Sequence, residues 1–265
     1  MQKTKLLVAV LGALSAMPAF AADAPASPFT VSSNVGITSN YIYRGISQTS
    51  TNPAIQGGFD LSHSSGLYAG VWGSNVSWIA DSGAVATGSV TMELDTYFGY
   101  KNTITEDAGY DVGFIRYNYL GSYTAATNFE KADTAEIYAA ISYKFLTAKY
   151  SYSVLDQFLT VPKTKGTNYI ELNANYTVPD TTYTLIGHVG KQTYKGDAAD
   201  ALASASLDPT YTDYKVGVAK DFSGYVVTVA YSKTNAPEGG FYDYTSTDHG
   251  NWGKGMTAIS LTRAM

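Results

Sequence analysis

The sequence predicts an all-β chain, an antiparallel transmembrane β-barrel of twelve strands with short turns at one end and long loops at the other. Three observations carry this. An export signal opens the chain, period-two segments of membrane-spanning length follow it, and the connections between them alternate strictly between short and long.

The export signal comes first. Lys3 and Lys5 give a positive start, and Leu6 to Ala16 form a short apolar run. Pro18 breaks the run, and Ala19-Phe20-Ala21 supplies the small-x-small pattern of a signal-peptide cleavage site. The run is too short, and wrongly flanked, for a spanning helix. Cleavage after Ala21 makes residues 1–21 a signal peptide and leaves residues 22–265 as a single domain. It also lowers the Lys and Arg count from 17 to 15 against 22 acidic residues, a net charge of −7. That balance argues against a nucleic-acid partner, which would require a basic patch. There is no cysteine, so there is neither a disulfide framework nor a thiolate metal site.

No apolar run of spanning length follows the signal. The composition is still unlike an ordinary soluble chain, with 23 Tyr, 25 Gly and only 15% charged residues. Tyrosine suits half-buried pleated surfaces and membrane interfaces, where its ring meets lipid and its hydroxyl meets water.

Strand-like segments fall at 30–43, 53–62, 67–78, 90–101, 109–120, 134–145, 147–156, 167–177, 181–192, 211–221, 225–234 and 255–263. Most alternate with period two. Around 169–178, Ile170, Leu172, Ala174, Tyr176 and Val178 share one face, and Tyr169, Glu171, Asn173, Asn175 and Thr177 share the other. A tilted spanning strand needs roughly 9–11 residues, which these segments approach.

Short connections fall at 63–66, 102–108, around Leu146, at 178–180 and at 222–224. Longer ones fall at 44–52, 79–89, 121–133, 157–166, 193–210 and 235–254. Outer-membrane barrels have short periplasmic turns, longer external loops and an even strand number. Twelve strands then place both termini in the periplasm. A soluble sandwich has no reason to alternate its loops in this way.

Apolar rows such as Val31, Val35 and Ile37, or Ile137, Ala139 and Ile141, face lipid on this reading. Tyr41 and Tyr43 mark one interfacial girdle. Tyr100, Tyr143, Phe145, Tyr176, Tyr183, Phe222 and Tyr225 mark the other. Two segments resist the scheme. In 67–78 either parity could face lipid, with Trp72 the awkward residue. In 109–120 the outward parity changes midway, which a bulge would reconcile.

The opposite rows face the lumen. By parity they include Arg44, Gln56, Asp60, Glu93, Asp95, Lys101, Glu136, Lys144, Lys149, Glu171, His188 and Lys215. Arg116 joins them, since an arginine facing mid-bilayer lipid costs about 2–4 kcal/mol.

The stretch Ser39-Asn40-Tyr41-Ile42-Tyr43-Arg44-Gly45-Ile46-Ser47-Gln48 resembles the opening of the TorF family of proteobacterial proteins classed as porins (the Gcw_chp family). So do Asn52-Pro53-Ala54-Ile55-Gln56-Gly57-Gly58-Phe59-Asp60 and the run from Gly66 to Asn75. The resemblance spans about residues 29–78 and implies an outer-membrane channel. Barrels of this kind usually end in an aromatic residue. This chain ends in Met265, with Ile259 and Leu261 keeping the alternating apolar positions.

The expected function is passive diffusion of small polar solutes or ions through a narrow lumen. Eight strands make a barrel that side chains fill, and sixteen to eighteen leave an aqueous channel. Twelve lie between, so the alternative is a plugged barrel acting as receptor, adhesin or anchor through its loops. Arg44 is either a constriction residue or an anchor against neighbouring carboxylates. The expected partners are outer-membrane lipid and the solutes themselves, and the oligomeric state stays open.

No cofactor is expected and no enzyme. The chain has only His63, His188 and His249, and no Gly-x-Ser-x-Gly, His-Glu-x-x-His, P-loop or dinucleotide fingerprint. Asp243, Asp248 and His249 could form at most a weak metal site, because their spacing matches no known motif.

Overall fold

The computed structural model describes residues 27–244 and 250–265. Ala19, Ala21 and the cleavage site lie outside the described residues, as do Asp248 and His249. Twelve antiparallel strands close into one barrel. They are β1 (Phe29–Thr38), β2 (Ala54–His63), β3 (Leu67–Asn75), β4 (Met92–Thr103), β5 (Ala108–Leu120) and β6 (Thr134–Tyr143). Then follow β7 (Leu146–Ser153), β8 (Asn168–Thr177), β9 (Tyr183–Thr193), β10 (Tyr211–Phe222), β11 (Tyr225–Thr234) and β12 (Met256–Ala264). Each strand pairs with its chain neighbours, and β1 pairs with β12 to close the sheet. Met265 extends that seam, exchanging backbone hydrogen bonds of 2.8 Å with Ser33 in both directions.

The outer face is apolar around the whole circumference. Val31 is 72% exposed, and Ile55, Phe59, Phe98, Ile137, Ile141, Ile170, Leu185, Val216 and Ile259 are also exposed. A soluble monomer rarely shows contiguous apolar surface on this scale, whereas a membrane barrel requires it. No described helix is long and apolar enough to cross a membrane. Tyr143, Phe145, Tyr176, Tyr183, Phe222 and Tyr225 stand exposed at the short-turn end, as an interfacial girdle should.

The short turns are tight. Ser223 and Gly224 both have positive φ between β10 and β11, the backbone that a two-residue hairpin favours. Lys144 also has positive φ and is exposed in the turn between β6 and β7, 4.0 Å from Asp107. The expectation that Lys144 lines the lumen is therefore corrected: the strand ends at Tyr143, and its parity does not extend into the turn.

Further expectations change or are resolved. The first strand ends at Thr38 rather than residue 43. Tyr41 and Tyr43 lie in an inward loop and form no outer girdle, because their alternation continues past the point where the chain leaves the sheet. Trp72 faces the lumen and meets the Tyr41 ring edge-on at 5.5 Å, which settles the parity of β3. In β5 no bulge occurs, and its register against β4 and β6 is continuous. Tyr110, Val112, Phe114, Arg116 and Asn118 face outward, and Ile115, Tyr117 and Tyr119 face inward. Arg116 is thus an outward residue, 45% exposed, rather than a lumen residue. It sits near the long-loop end, where Asn118 and Asp133 bind its guanidinium at 2.8 and 3.6 Å and it avoids mid-bilayer cost.

Inside, tyrosine rings lie flat over residues that lack a Cβ. A Cβ on Gly113 would stand 2.5 Å from the Tyr138 hydroxyl and 2.8 Å from the Phe98 carbonyl. That clearance lets Tyr138 reach the Tyr68 hydroxyl, which donates to Asp111 at 2.6 Å. Gly113→Val should displace Tyr138 and lower stability by about 1–3 kcal/mol, as overpacking does. Gly187→Ala, whose new Cβ would meet only Ala174 at 3.8 Å, should be near neutral. Equilibrium unfolding in lipid vesicles separates the two, and equal effects would contradict this packing.

Candidate functional site

The site is built from residues 39–53, which connect β1 to β2. Ile42–Tyr43 pairs with Ile46–Ser47 as a miniature hairpin. Arg44 and Gly45 form its tip, with φ of 46° and 78°. Two positive φ values define the type I′ turn, whose twist suits a two-residue hairpin. A non-glycine residue in this region costs roughly 1–2 kcal/mol, so contacts elsewhere must hold Arg44 there. At position 45 only glycine fits, since a Cβ would stand 2.5 Å from Asp213 Cβ and 2.7 Å from Thr234 Cγ2.

Polar side chains tie the base of this hairpin. Asn40 Oδ1 accepts from the Ser47 hydroxyl at 2.7 Å and the Thr49 hydroxyl at 3.3 Å. The Ser47 hydroxyl accepts from the Thr51 amide at 3.0 Å. The Gln48 amide donates to the Tyr41 carbonyl at 2.7 Å. The Gln48 carbonyl accepts from the Ser77 amide, and the Ser47 amide donates to the Trp252 carbonyl, which fastens the hairpin to two other loops.

The tip crosses the lumen to the far wall. Arg44 Nη2 donates to Glu136 Oε2 at 2.7 Å. Its Nη1 donates to Glu136 Oε1 at 3.0 Å and Gln192 Oε1 at 2.8 Å. The guanidinium lies 4.2 Å from the Tyr169 ring centroid and 4.9 Å from that of Tyr43. The Arg44 side chain is 8% exposed and that of Glu136 is 0%. Burial alone would lower the Arg44 pKa, but the charge and hydrogen bonds of Glu136 together with the neighbouring Tyr43 and Tyr117 hydroxyls more than reverse this and raise it. The Tyr117 hydroxyl donates to Glu136 Oε2 at 3.2 Å and accepts from the Tyr43 hydroxyl at 3.0 Å.

All six long loops contribute to a plug over this hairpin. Ile46, Val76, Trp78, Ile79, Ala84, Val90, Tyr123, Ala132, Tyr242 and Trp252 share an apolar cluster with the wall residues Tyr117, Tyr119 and Tyr211. Phe158, Val161, Tyr194 and Ala199 form a smaller cluster beside it. Ala199 belongs to the short helix α1 (Asp197–Ser204).

The lumen is consequently graded. Inward positions at the long-loop end are buried, such as Thr134 and Glu136 on β6, or Gln192 and Gly190 on β9. Towards the short turns they open, through Tyr138, Ala140 and Ser142, or His188, Ile186 and Thr184.

The inward residues fall into polar groups. Asp60 accepts from the Tyr97 hydroxyl at 2.6 Å, and Gln56 Nε2 donates to the Ser74 hydroxyl at 3.4 Å. Lys101 lies 5.1 Å from the Tyr68 ring centroid, and Lys149 lies 4.1 Å from that of Tyr138. Glu171 accepts from Asn173 at 2.7 Å. His188 contacts Asp213 at 2.9 Å, Asn173 at 2.7 Å and the Tyr169 hydroxyl at 3.0 Å. Lys215 stands inward beside His188 and Ser232. Glu93 and Asp95 sit side by side under the hairpin, and the Tyr41 hydroxyl donates to Glu93 Oε1 at 3.3 Å. Glu93 Oε2 and Asp95 Oδ1 have no hydrogen-bond partner.

Sequence reasoning missed Gln192 and Asp213 as partners of the hairpin, along with the luminal tyrosines Tyr68, Tyr97 and Tyr138. Their inward parity is legible, but tyrosine also suits lipid interfaces, and nothing local links Gln192 or Asp213 to the distant hairpin. Among the described residues no group of three or more His, Cys, Asp or Glu is placed to hold a metal ion.

A closed sheet with an apolar outside and a charged inside defines a transmembrane barrel of the outer-membrane, porin-like class. Residues 22–264 match the Gcw_chp family, described as bacterial proteins of unknown function, and the chain belongs to that family. No curated protein matches it. Among solved structures it is similar to a KdgM porin, with TM-score 0.48 and 8% identity over 88% of this chain and 96% of that one. It is also similar to the COG4313 outer membrane channel from Pseudomonas putida F1, with TM-score 0.45 and 13% identity over 94% and 100%. A third is LpxR from Salmonella typhimurium, with TM-score 0.38 and 8% identity over 88% and 99%.

Breaking a buried ion pair by removing one partner costs about 3–5 kcal/mol, because the remaining charge is uncompensated. Arg44→Met should therefore destabilise the plugged state by that order. Adding Glu136→Met should recover most of the loss, since no charge is then stranded. Denaturant titration of the two single variants and the double variant measures the coupling. Additive losses would show that the pair does not hold the hairpin.

Proposed function

We propose that this chain is a narrow outer-membrane channel for small polar solutes and ions, exported by its N-terminal signal, with both termini in the periplasm. The long-loop end faces outward, and the inward hairpin closes the lumen in the state described. The observation that carries this reading is the Arg44–Glu136–Gln192 bridge across a charged lumen. A barrel serving only as an anchor gains little from such a bridge, because apolar filling is at least as stable as a buried ion pair. A bridge held at one turn can be released at one turn.

The wall favours cations. Leaving aside the paired Arg44 and Glu136 and the buried Glu93 and Asp95, Asp60, Asp111, Glu171 and Asp213 outnumber Lys101, Lys149 and Lys215 at inward positions. Charged rings in a confined pore set solute preference by their sign. The resemblance of residues 29–78 to the TorF porins points to the same class.

A second reading is a receptor or anchor with a permanent plug. The apolar cluster shared by the loops favours it, since such a core holds the loops together without the ion pair.

Planar-bilayer recording separates these. The wild-type barrel should show rare, small, cation-preferring steps, and Arg44→Ala should raise open probability or step size severalfold. Silence of both proteins, with each still folded and heat-modifiable, would exclude the channel and leave the receptor. Orientation is tested in intact cells with a membrane-impermeant thiol reagent. Ser206→Cys should label from outside, whereas Ser64→Cys and Ser223→Cys should not. The reverse pattern would invert the topology.

A further inference from the structure

Charge on the barrel wall is sorted by face. Every carboxylate of the twelve strands stands on an inward row, whereas Arg116, Lys191, Lys220, Lys233 and Arg263 stand on outward rows. Three of these cations are already engaged. Arg116 has Asn118 and Asp133. Lys220 donates to the Tyr183 hydroxyl at 3.1 Å. Arg263 donates to the Ser223 carbonyl at 3.1 Å and lies 4.3 Å from the Tyr225 ring centroid. Lys191 and Lys233 differ. Both are exposed, and among the described residues neither has a hydrogen-bond, ion-pair or ring partner for its ammonium group.

The two lysines share one patch at the long-loop end. Lys191 on β9 pairs with Thr212 on β10, and Tyr214, two residues further along β10, pairs with Lys233 on β11. Tyr214 is exposed and stands between them. Strand spacing and rise put the two lysine Cα atoms about 12 Å apart, a span that two lysine side chains can close upon one headgroup. Immediately below lie Val189, Val216 and Tyr231, exposed on the same outward rows. An amphipathic molecule thus meets apolar rows along the wall and cations at the rim.

Lysine close to the membrane surface costs little and attracts anionic headgroups. A phosphate monoester carries up to about two negative charges, which two unpaired ammonium groups match. A zwitterionic headgroup brings its own cation, which they repel. We propose that the long-loop ends of β9, β10 and β11 form a docking surface for a lipid whose headgroup bears a phosphate monoester. The phosphate sits between Lys191 and Lys233, Tyr214 spans headgroup and hydrocarbon, and the acyl chains follow the apolar rows. The leaflet that supplies the lipid rests on the orientation proposed above. Binding itself does not, and it is measured without conductance.

The test uses the refolded barrel in uncharged detergent micelles, with dioleoylphosphatidic acid as the probe and dioleoylphosphatidylcholine as the comparison. Native mass spectrometry counts the lipids retained. One phosphatidic acid should be retained in preference to phosphatidylcholine. Lys191→Gln and Lys233→Gln should each weaken retention about fivefold, and the double variant about thirtyfold, the worth of one and two cations at a membrane surface. Lys220→Gln, which removes an outward lysine already engaged by Tyr183, should leave retention unchanged. The variants should all stay heat-modifiable, since Lys191 and Lys233 are exposed and unpartnered. Equal retention of the two lipids, or no loss in the double variant, would overturn the site. Displacement by inorganic phosphate beyond that by chloride at equal ionic strength would overturn the lipid in favour of the free anion. A dimer that forms instead of the lipid complex, and is lost in the double variant, would overturn it in favour of a second copy of the chain.

Discussion

Lipid leaves no backbone polar group a water partner, and the rest of this structure follows from that constraint. A sheet in a bilayer must close, and closure here depends on the pairing of β1 with β12. The hydrogen bonds between Ser33 and Met265 carry the seam to the last residue. Closure then divides every strand into a row that meets hydrocarbon and a row that does not. The inner row is free to hold charge only because the outer row has satisfied the membrane.

This division explains what could be read from the sequence. Period-two alternation and the rhythm of short and long connections located all twelve strands, with most boundaries within a few residues. Both are one-dimensional signals of a closed meander. The departures have one physical origin. Parity holds only while the chain stays in the sheet, and nothing local marks where it leaves. Tyr41 and Tyr43 continue the alternation of β1 yet turn inward, and Lys144 keeps step with β6 yet sits in a turn. The cost of arginine at mid-bilayer argues for a luminal Arg116, but it stands near the rim, where Asp133 and Asn118 meet it.

The plug was less legible for a different reason. The motif from Ser39 to Gln48 stands out in the sequence, and several of its residues have a structural task. Asn40 and Ser47 fasten the base, Gly45 gives clearance to Asp213, and Arg44 reaches the far wall. Those tasks depend on partners in distant strands. Glu136 lies 92 residues away along the chain and Gln192 lies 148 away. Local pattern carries no information on such pairings. The apolar loop residues were hidden similarly, since a single Trp or Phe in a Gly-rich loop reads as an isolated ring until the loops converge.

The separation of Arg44 from its partners also ties the seated hairpin to the whole barrel. Contacts of high sequence separation form only after the intervening chain is placed, because loop-closure entropy opposes them until then. The hairpin emerges after the first strand, but its receptors on β6, β9 and β10 arrive much later. Its seated contacts exist only where β6, β9 and β10 stand in register. A barrel missing strands, or closed in a shifted register, would offer Arg44 no carboxylate and Gly45 no gap. The seated hairpin thus reports that the wall was built in full, and an incompletely assembled barrel stays unsealed.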